Sequence, residues 1–418
     1  MDVIKEGMRK GAEAVEVFEI SARMRQFYPA DRVYTTNEWS GTGIKCVKGR
    51  RIGFSGGTNE DAEKILDRSL TLMRLAPEDE AFRSLPSSGG SGSEEEVHNT
   101  EDIREIAEVI VSVAKPASVV NGVIRSTEYR IHITNSLGID VRNSGAFTFV
   151  HLTAKEGMGE GVVKAYSSER SMDPELLGLE LRENTERAEK AEAYRGKERV
   201  SALIMPDELA GLVSSTILEA VNGENVNRVR SLWSGKLGQV VSDPALTVID
   251  DGRLVGGLRS GAVDDEGVPA SRKMLIERGV LKSYIYDSYN GAIAGREPTG
   301  NGFRRSMRSV EGAHLLPARC SPSNVLVKPG RDGMKDLIDS TDLVVYKVAA
   351  PYADPFTGSF ALELRNGLYH GKPVKHALLC GNMFECLKRI TGISEETKNA
   401  GAVILPAIRF DGLSLVGM

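Results

Sequence analysis

The alternation of apolar and polar side chains along the chain separates two textures. Residues 2–11 read as a short helix, and Val15, Val17, Phe18 and Ile20 as the start of a strand. Gly43-Ile44-Lys45-Cys46-Val47, a Lys48-Gly49-Arg50 turn and Arg51-Ile52-Gly53-Phe54 predict a hairpin. Ala62, Ile65, Leu66, Leu70 and Met73 then recur close to the helical period, with Thr58 or Asn59 as the expected cap. The same outline returns further on. Ile103, Ile106, Ala107, Ile110, Val111 and Ala114 form one apolar helical stripe. Strands 129–134 and 139–142 are expected around an Asn135-Ser136-Leu137-Gly138 turn, with a separate strand at 146–154 and a charged helix at 174–194.

From about Lys197 the pattern shortens. Strands are predicted at 201–204, 246–249, 274–276 (turning at Arg278-Gly279), 324–327, 343–346, 360–364 (turning at Asn366-Gly367) and 402–405. Helices are expected near 207–222, 332–339 and 382–391. The fold class that follows is α+β: two N-terminal α/β units with helices on small antiparallel sheets, then a larger, mainly antiparallel β domain. The expected division is 1–85, a flexible linker at 86–97, a central unit at 98–196 and a C-terminal domain at 197–418. The linker is read from Pro86-Ser87-Ser88-Gly89-Gly90-Ser91-Gly92-Ser93 and the three glutamates after it.

Composition narrows the functional classes. With 41% hydrophobic and 27% charged residues among 418, the bulk of the chain has ordinary globular usage. The formal charge is 53 − 58 = −5 with no basic stripe, which argues against a nucleic-acid partner. No apolar run approaches the roughly 18 residues that span a bilayer. The first residues lack a signal-peptide pattern, and the four cysteines form no CxxC. A reduced, cytoplasmic protein without membrane attachment is the expectation.

Most motif chemistry fails on local context. Ser234-Gly235-Lys236-Leu237 lacks the ending of a phosphate loop. Gly53-Phe54-Ser55-Gly56-Gly57 matches GxSxG, but too few strands precede it for a nucleophile elbow, so glycines turning a strand into a helix are the favoured reading. Ser112 and Lys115 fit SxxK without its partner motifs. The six histidines form no HExxH, and His370, His376 and Cys380 fall on different predicted elements. The polar stretches Asp264-Asp265-Glu266-Gly267 and Thr299-Gly300-Asn301, with Arg304 and Arg305, remain as candidate groove or substrate-contact loops, set against a reading as a solvated turn.

Those two stretches, with Gly41-Thr42-Gly43-Ile44, Asn135-Ser136-Leu137-Gly138, Ser231-Leu232-Trp233-Ser234-Gly235-Lys236-Leu237-Gly238 and Leu413-Ser414-Leu415-Val416-Gly417, resemble the TldD/PmbA family in order and spacing. The resemblance implies a cytoplasmic, heteromeric metallopeptidase acting on unfolded or extended peptides. Its TldD-type subunit carries zinc on an HExxxH helix and a distant cysteine. Counted without gaps from Trp233, those motif positions fall here on Ser214, Ser215 and Glu219, and the late cysteine's stretch reads Thr397-Lys398-Asn399-Ala400-Gly401-Ala402. The implied role is that of the non-catalytic TldE/PmbA subunit, with no metal or cofactor of its own, a zinc-bearing TldD-type partner and a possible homodimer. Two other readings stay open: a binding protein that modulates DNA gyrase or a toxin–antitoxin system without proteolysis, and an autonomous hydrolase using Ser55 or the His370/His376/Cys380 group.

Overall fold

A computed structural model describes residues 2–87, 102–168 and 172–418. The expected linker at 86–97 lies, apart from Pro86 and Ser87, outside the described residues, as does His98.

The N-terminal part is one six-stranded antiparallel sheet with helices on one face. Its elements are α1 (Val3–Arg9), β1 (Ala14–Tyr28), β2 (Val33–Lys48), β3 (Arg51–Thr58), α2 (Ala62–Leu75), α3 (Ile103–Val113), β4 (Ser118–Asn135), β5 (Asp140–Glu156), β6 (Gly159–Ser167) and α4 (Pro174–Glu189). The strand order is β3-β2-β1-β4-β5-β6, so the two outlines seen in sequence contribute three strands each to a shared sheet, joined where Ile20 faces Ile131. Both faces of β1 are buried. Val15 and Val17 meet α2 through Ile65, Leu66 and Leu70, whereas Phe18 and Ile20 meet Ile131, Ile133 and the C-terminal residues Leu258 and Val310. The stripe of α3 packs on Ile124, Val150 and Leu152 together with Leu177 and Leu181 of α4.

Several local expectations change. The cap of α2 is Asp61, whose carboxylate accepts from the Glu63 N–H; Asn59 has φ 50° and binds Ser40 instead. The strand expected at 146–154 is continuous with the one before it, as β5. Ser55 lies inside β3 opposite Ile44, with Arg68 Nε donating to its hydroxyl at 3.0 Å, so GxSxG forms no strand-to-helix elbow.

The C-terminal part continues with β7 (Glu192–Ala193), β8 (Lys197–Ile204), α5 (Pro206–Ser215), α6 (Ile217–Ala220), α7 (Gly223–Asn227), β9 (Val248–Asp251), β10 (Arg272–Glu277), β11 (Val280–Leu281), α8 (Ser288–Ala294), β12 (Gly302–Phe303), β13 (Arg319–Cys320) and β14 (Val325–Val327). It ends with α9 (Met334–Asp339), β15 (Leu343–Val348), β16 (Ser359–Tyr369), β17 (Lys372–Lys375), β18 (Ala377–Asn382), α10 (Met383–Cys386), β19 (Ile390–Asn399) and β20 (Val403–Gly417). One mainly antiparallel sheet runs β11-β10-β9-β14-β20-β8-β15-β16-β17-β7, with parallel pairing only at β14/β20, β8/β15 and β7/β17. β20 sits in its middle and also pairs with β18 and β19. Asn366-Gly367 does not turn the chain; it lies within β16, and the turn follows at His370-Gly371. The helix expected at 382–391 is the single turn α10, after which β19 begins.

Candidate functional site

The three motif positions lie on an interrupted helix. α5 stops at Ser215 because Thr216 leaves helical geometry at φ −125°, ψ −72°, and α6 restarts at Ile217. Ser215 Oγ donates to the Gly211 carbonyl at 2.9 Å and accepts from the Ala353 N–H at 3.1 Å. Glu219, pushed above the usual carboxylate range by burial, accepts from Asn225 Nδ2 at 2.7 Å. Zinc takes thiolate, imidazole or carboxylate donors in tetrahedral array. Two hydroxyls, one of them already spent on the backbone, and one amide-bound carboxylate do not fit it. Among the described residues no group of three His, Cys, Asp or Glu side chains is placed to hold a metal, the His370/His376/Cys380 group included.

The polar loops are brought together, but in the interior. Asp264, Asp265 and Asn301 are fully buried and Glu266, Arg304 and Arg305 are 5% exposed, so these residues do not form a solvated turn. Asp264 accepts from the N–H groups of Glu266, Val268 and Gly302, and Gly267 turns the loop at φ 85°. Asp265 accepts from the Arg304 N–H at 2.8 Å and from Arg305 Nε at 3.0 Å. Thr299 Oγ1 donates to Asn301 Oδ1 at 2.7 Å, and Asn301 Nδ2 donates to Asp250 Oδ2 at 2.9 Å; Gly300, at φ 72°, brings the chain against Pro269.

From this knot two arginines reach into the N-terminal sheet. Arg305 Nη1 donates to the Tyr129 hydroxyl at 2.9 Å, and Arg304 pairs with the buried Glu16, which Lys45 also holds at 3.2 Å. The loops therefore fasten the C-terminal sheet to the N-terminal one. Burial alone would raise Asp265, but the Arg305 guanidinium and the Arg304 N–H hold it below the usual carboxylate range. Asp264 goes the other way, raised by burial and by the neighbouring Glu266.

The sign of the resulting pH dependence differs between these neighbours. The stability from Asp265 is present above its unfolded value and is lost as pH falls through the depressed folded one; that from Asp264 is full below its unfolded value of 3.8 and is lost as pH rises through the raised one. Wild type is therefore expected to lose stability relative to Asp264→Asn as pH rises above the ordinary carboxylate range, about 4. Denaturant midpoints across that rise test it, and a constant gap would refute the raised Asp264.

A second polar assembly lies between the two parts and has no counterpart in the sequence-level expectations. A cavity of about 340 Å³ opens between β6, α4, the start of α5, β15 and β19. Lys398 Nζ lies 2.7 Å from Glu180 and 2.9 Å from Asp207, and Lys347 Nζ lies 2.7 Å from Glu208. Arg187 stacks over the Tyr346 ring at 3.6 Å. Thr397 and Lys398 also border a neighbouring cavity of about 510 Å³ beside Tyr166 and Met172. The lining residues come from six separate elements, α9 included through Met334 and Ile338.

Comparison with known proteins agrees with this architecture. The chain is 26% identical to an uncharacterized protein of Methanocaldococcus jannaschii over 98% of both chains. It is 30% identical to the metalloprotease TldD homolog of Haemophilus influenzae, over 45% of this chain and 39% of that one. The fold superimposes on the crystal structure of TldE from Thermococcus kodakarensis with a TM-score of 0.87, covering 100% of this chain and 99% of that one at 23% identity. The sequence profile of the PmbA/TldA metallopeptidase C-terminal domain matches residues 197–417, more than half of the chain. The chain belongs to the PmbA/TldD metallopeptidase family.

Proposed function

We propose that this chain is the non-catalytic, TldE/PmbA-type subunit of a cytoplasmic, two-component peptidase and acts with a zinc-bearing TldD-type partner on unfolded or extended peptides. The observation that carries the reading is the state of the motif positions: Ser214, Ser215 and Glu219 straddle a helix break at Thr216, with Ser215 and Glu219 already bonded within the chain. Amide hydrolysis in such an enzyme relies on a metal that polarises the carbonyl and acidifies water, and the described residues offer no donor set for one. Its contribution is to complete the cavity and to hold peptide backbone. The six-stranded sheet ends in β3 and β6, each with one side free of a strand neighbour, and β-strand addition to such an edge is the mode of holding that fits an extended substrate.

Peptide cleavage by this chain alone, by the HExxxH-bearing paralogue alone and by their mixture, each with and without chelator, tests the proposal. Activity confined to the partner-containing samples, highest in the mixture and abolished by chelator, is expected. Chelator-sensitive cleavage by this chain alone would overturn it.

A further inference from the structure

A small cavity of about 10 Å³ lies where Leu258-Arg259 and the loop 305–310 meet Phe147 of β5. Arg259 and Arg305 both line it, and both are buried, Arg259 at 3% exposed. Each keeps one buried guanidinium nitrogen, Arg259 Nε and Arg305 Nη2, without a hydrogen-bond partner among the described residues. The third charged residue on the lining is the exposed Arg308, and no carboxylate lines the cavity.

The charges around Arg259 do not close. Two carboxylates bear on it, Asp265 and Asp250. Asp265 is held by Arg305 Nε at 3.0 Å and Asp250 by Lys273 Nζ at 3.0 Å, so three cations stand against two anions and Arg259 is the one left over. Asp264 and Glu266 are both raised toward the neutral form, by burial first. The bonds Arg259 does make all go to uncharged acceptors. Nη1 donates to Ser321 Oγ at 2.9 Å and to the Pro322 carbonyl at 2.5 Å, Nη2 donates to the Arg305 carbonyl at 2.7 Å, and the guanidinium lies over the Phe303 ring at 3.8 Å. Burial, and then the Arg305 guanidinium, push it down to about 9, the response of a base that lacks its own counter-charge. It is still protonated at neutral pH, and a buried cation without an anion costs free energy.

We infer that this cavity binds a single halide ion, chloride above all, held between Arg259 Nε and Arg305 Nη2. A space of this size admits one particle about as large as water, which suits a monatomic anion and excludes a polyatomic one. Phe147, Leu258 and Val310 around it belong to the same apolar cluster as Phe18 and Ile20 of β1. The ion therefore ties two C-terminal segments together at the seam between the two sheets, and makes that seam sensitive to chloride. The inference concerns this chain alone and stands apart from the peptidase partnership.

Thermal unfolding of the whole purified chain, with chloride replacing gluconate at constant ionic strength, tests it. Tm is expected to rise by about 2 °C and to level off as chloride increases, as mass action at one site requires. Crystals grown in bromide give a direct readout: an anomalous peak is expected in the cavity, within hydrogen-bond reach of Arg259 Nε and Arg305 Nη2. Arg259→Gln is expected to abolish the rise in Tm, and the bromide map of the unaltered chain decides the matter where that variant does not fold. No bromide peak in the cavity, a Tm indifferent to chloride, or a rise that persists in Arg259→Gln would each overturn the inference. A peak without the saturating rise would mean an adventitious ion only, and would overturn it as well.

Discussion

Replacing Arg304 with methionine is expected to destabilise the N-terminal sheet by about 3–5 kcal/mol, the cost of stripping one partner from a buried ion pair. Arg304 and Glu16 are both completely buried at their side chains, and Lys45 is the one other cation on Glu16. Burial tends to raise Glu16, and only Lys45 and Arg304 together keep it ionised and low. With the guanidinium gone, one lysine must offset the desolvation of a carboxylate in the interior. The Leu316 carbonyl, which accepts from Arg304 Nη1 at 3.1 Å, also loses its donor. The two tryptophans separate the effect by region, because Trp39 is on β2 and Trp233 lies in the C-terminal core. In single-tryptophan variants the Trp39 transition should move to lower denaturant further than the Trp233 one. Adding Glu16→Gln should recover part of the loss, since much of it is the unpaired charge rather than the missing bond. Coincident, unshifted transitions would show that the knot does not fasten the sheets.

Gly53→Val is the second large effect, expected at about 2–3 kcal/mol or more from overpacking. Gly53 lies on β3 opposite Cys46, and α2 crosses directly over it. A Cβ added there would stand 2.1 Å from the Ser69 carbonyl oxygen and 2.2 Å from the Met73 nitrogen, both helix backbone atoms that no rotamer change can move aside. The helix must lift, and its fully buried Ile65, Leu66 and Leu70 would lose contact with Val15 and Val17. Hydrogen exchange should show α2 losing protection before β1. A Trp39 unfolding midpoint equal to wild type would refute the close approach.

These two cases show what the sequence reveals of this fold and what it conceals. The α3 stripe, the β2–β3 hairpin and the strand-rich C-terminal half were legible because helical and twofold periodicities are local. The misread breaks share a cause. Asn143 and Gly145 looked like a strand boundary, but Asn143 Nδ2 donates to the Val263 carbonyl, and Gly145 leaves room for the Tyr129 ring on the neighbouring strand. Asn366 looked like a hairpin turn, and its side chain instead donates from β16 to the Asn184 carbonyl on α4. Turn-forming residues were placed there by tertiary contacts.

The burial of the acidic loop was not legible for a related reason. The countercharge of Asp265 is Arg305, 40 residues along the chain, and the adjacent Arg304 pairs with Glu16, 288 residues away, distances no local pattern spans. The motif positions were legible only through the family's spacing. The break at Thr216 and the bond from Asn225 to Glu219 belong to the folded helix.

The place of β20 has a consequence for how the molecule is made. It hydrogen-bonds to β8, β14, β18 and β19, at the centre of a sheet whose other strands are all synthesised before it. Until it emerges, β8 and β14 have a strand-wide gap between them, and the apolar face that Leu405, Ile408, Phe410 and Leu415 complete stays open. The N-terminal sheet is spared this wait, since β4, β5 and β6 can pair onto β1 while most of the chain is still to come. Folding is therefore expected to run as an early-paired sheet, whose second face is covered only when Leu258, Val310 and Arg304 arrive, followed by an interval in which the second core keeps an unfilled slot open to pairing with strangers.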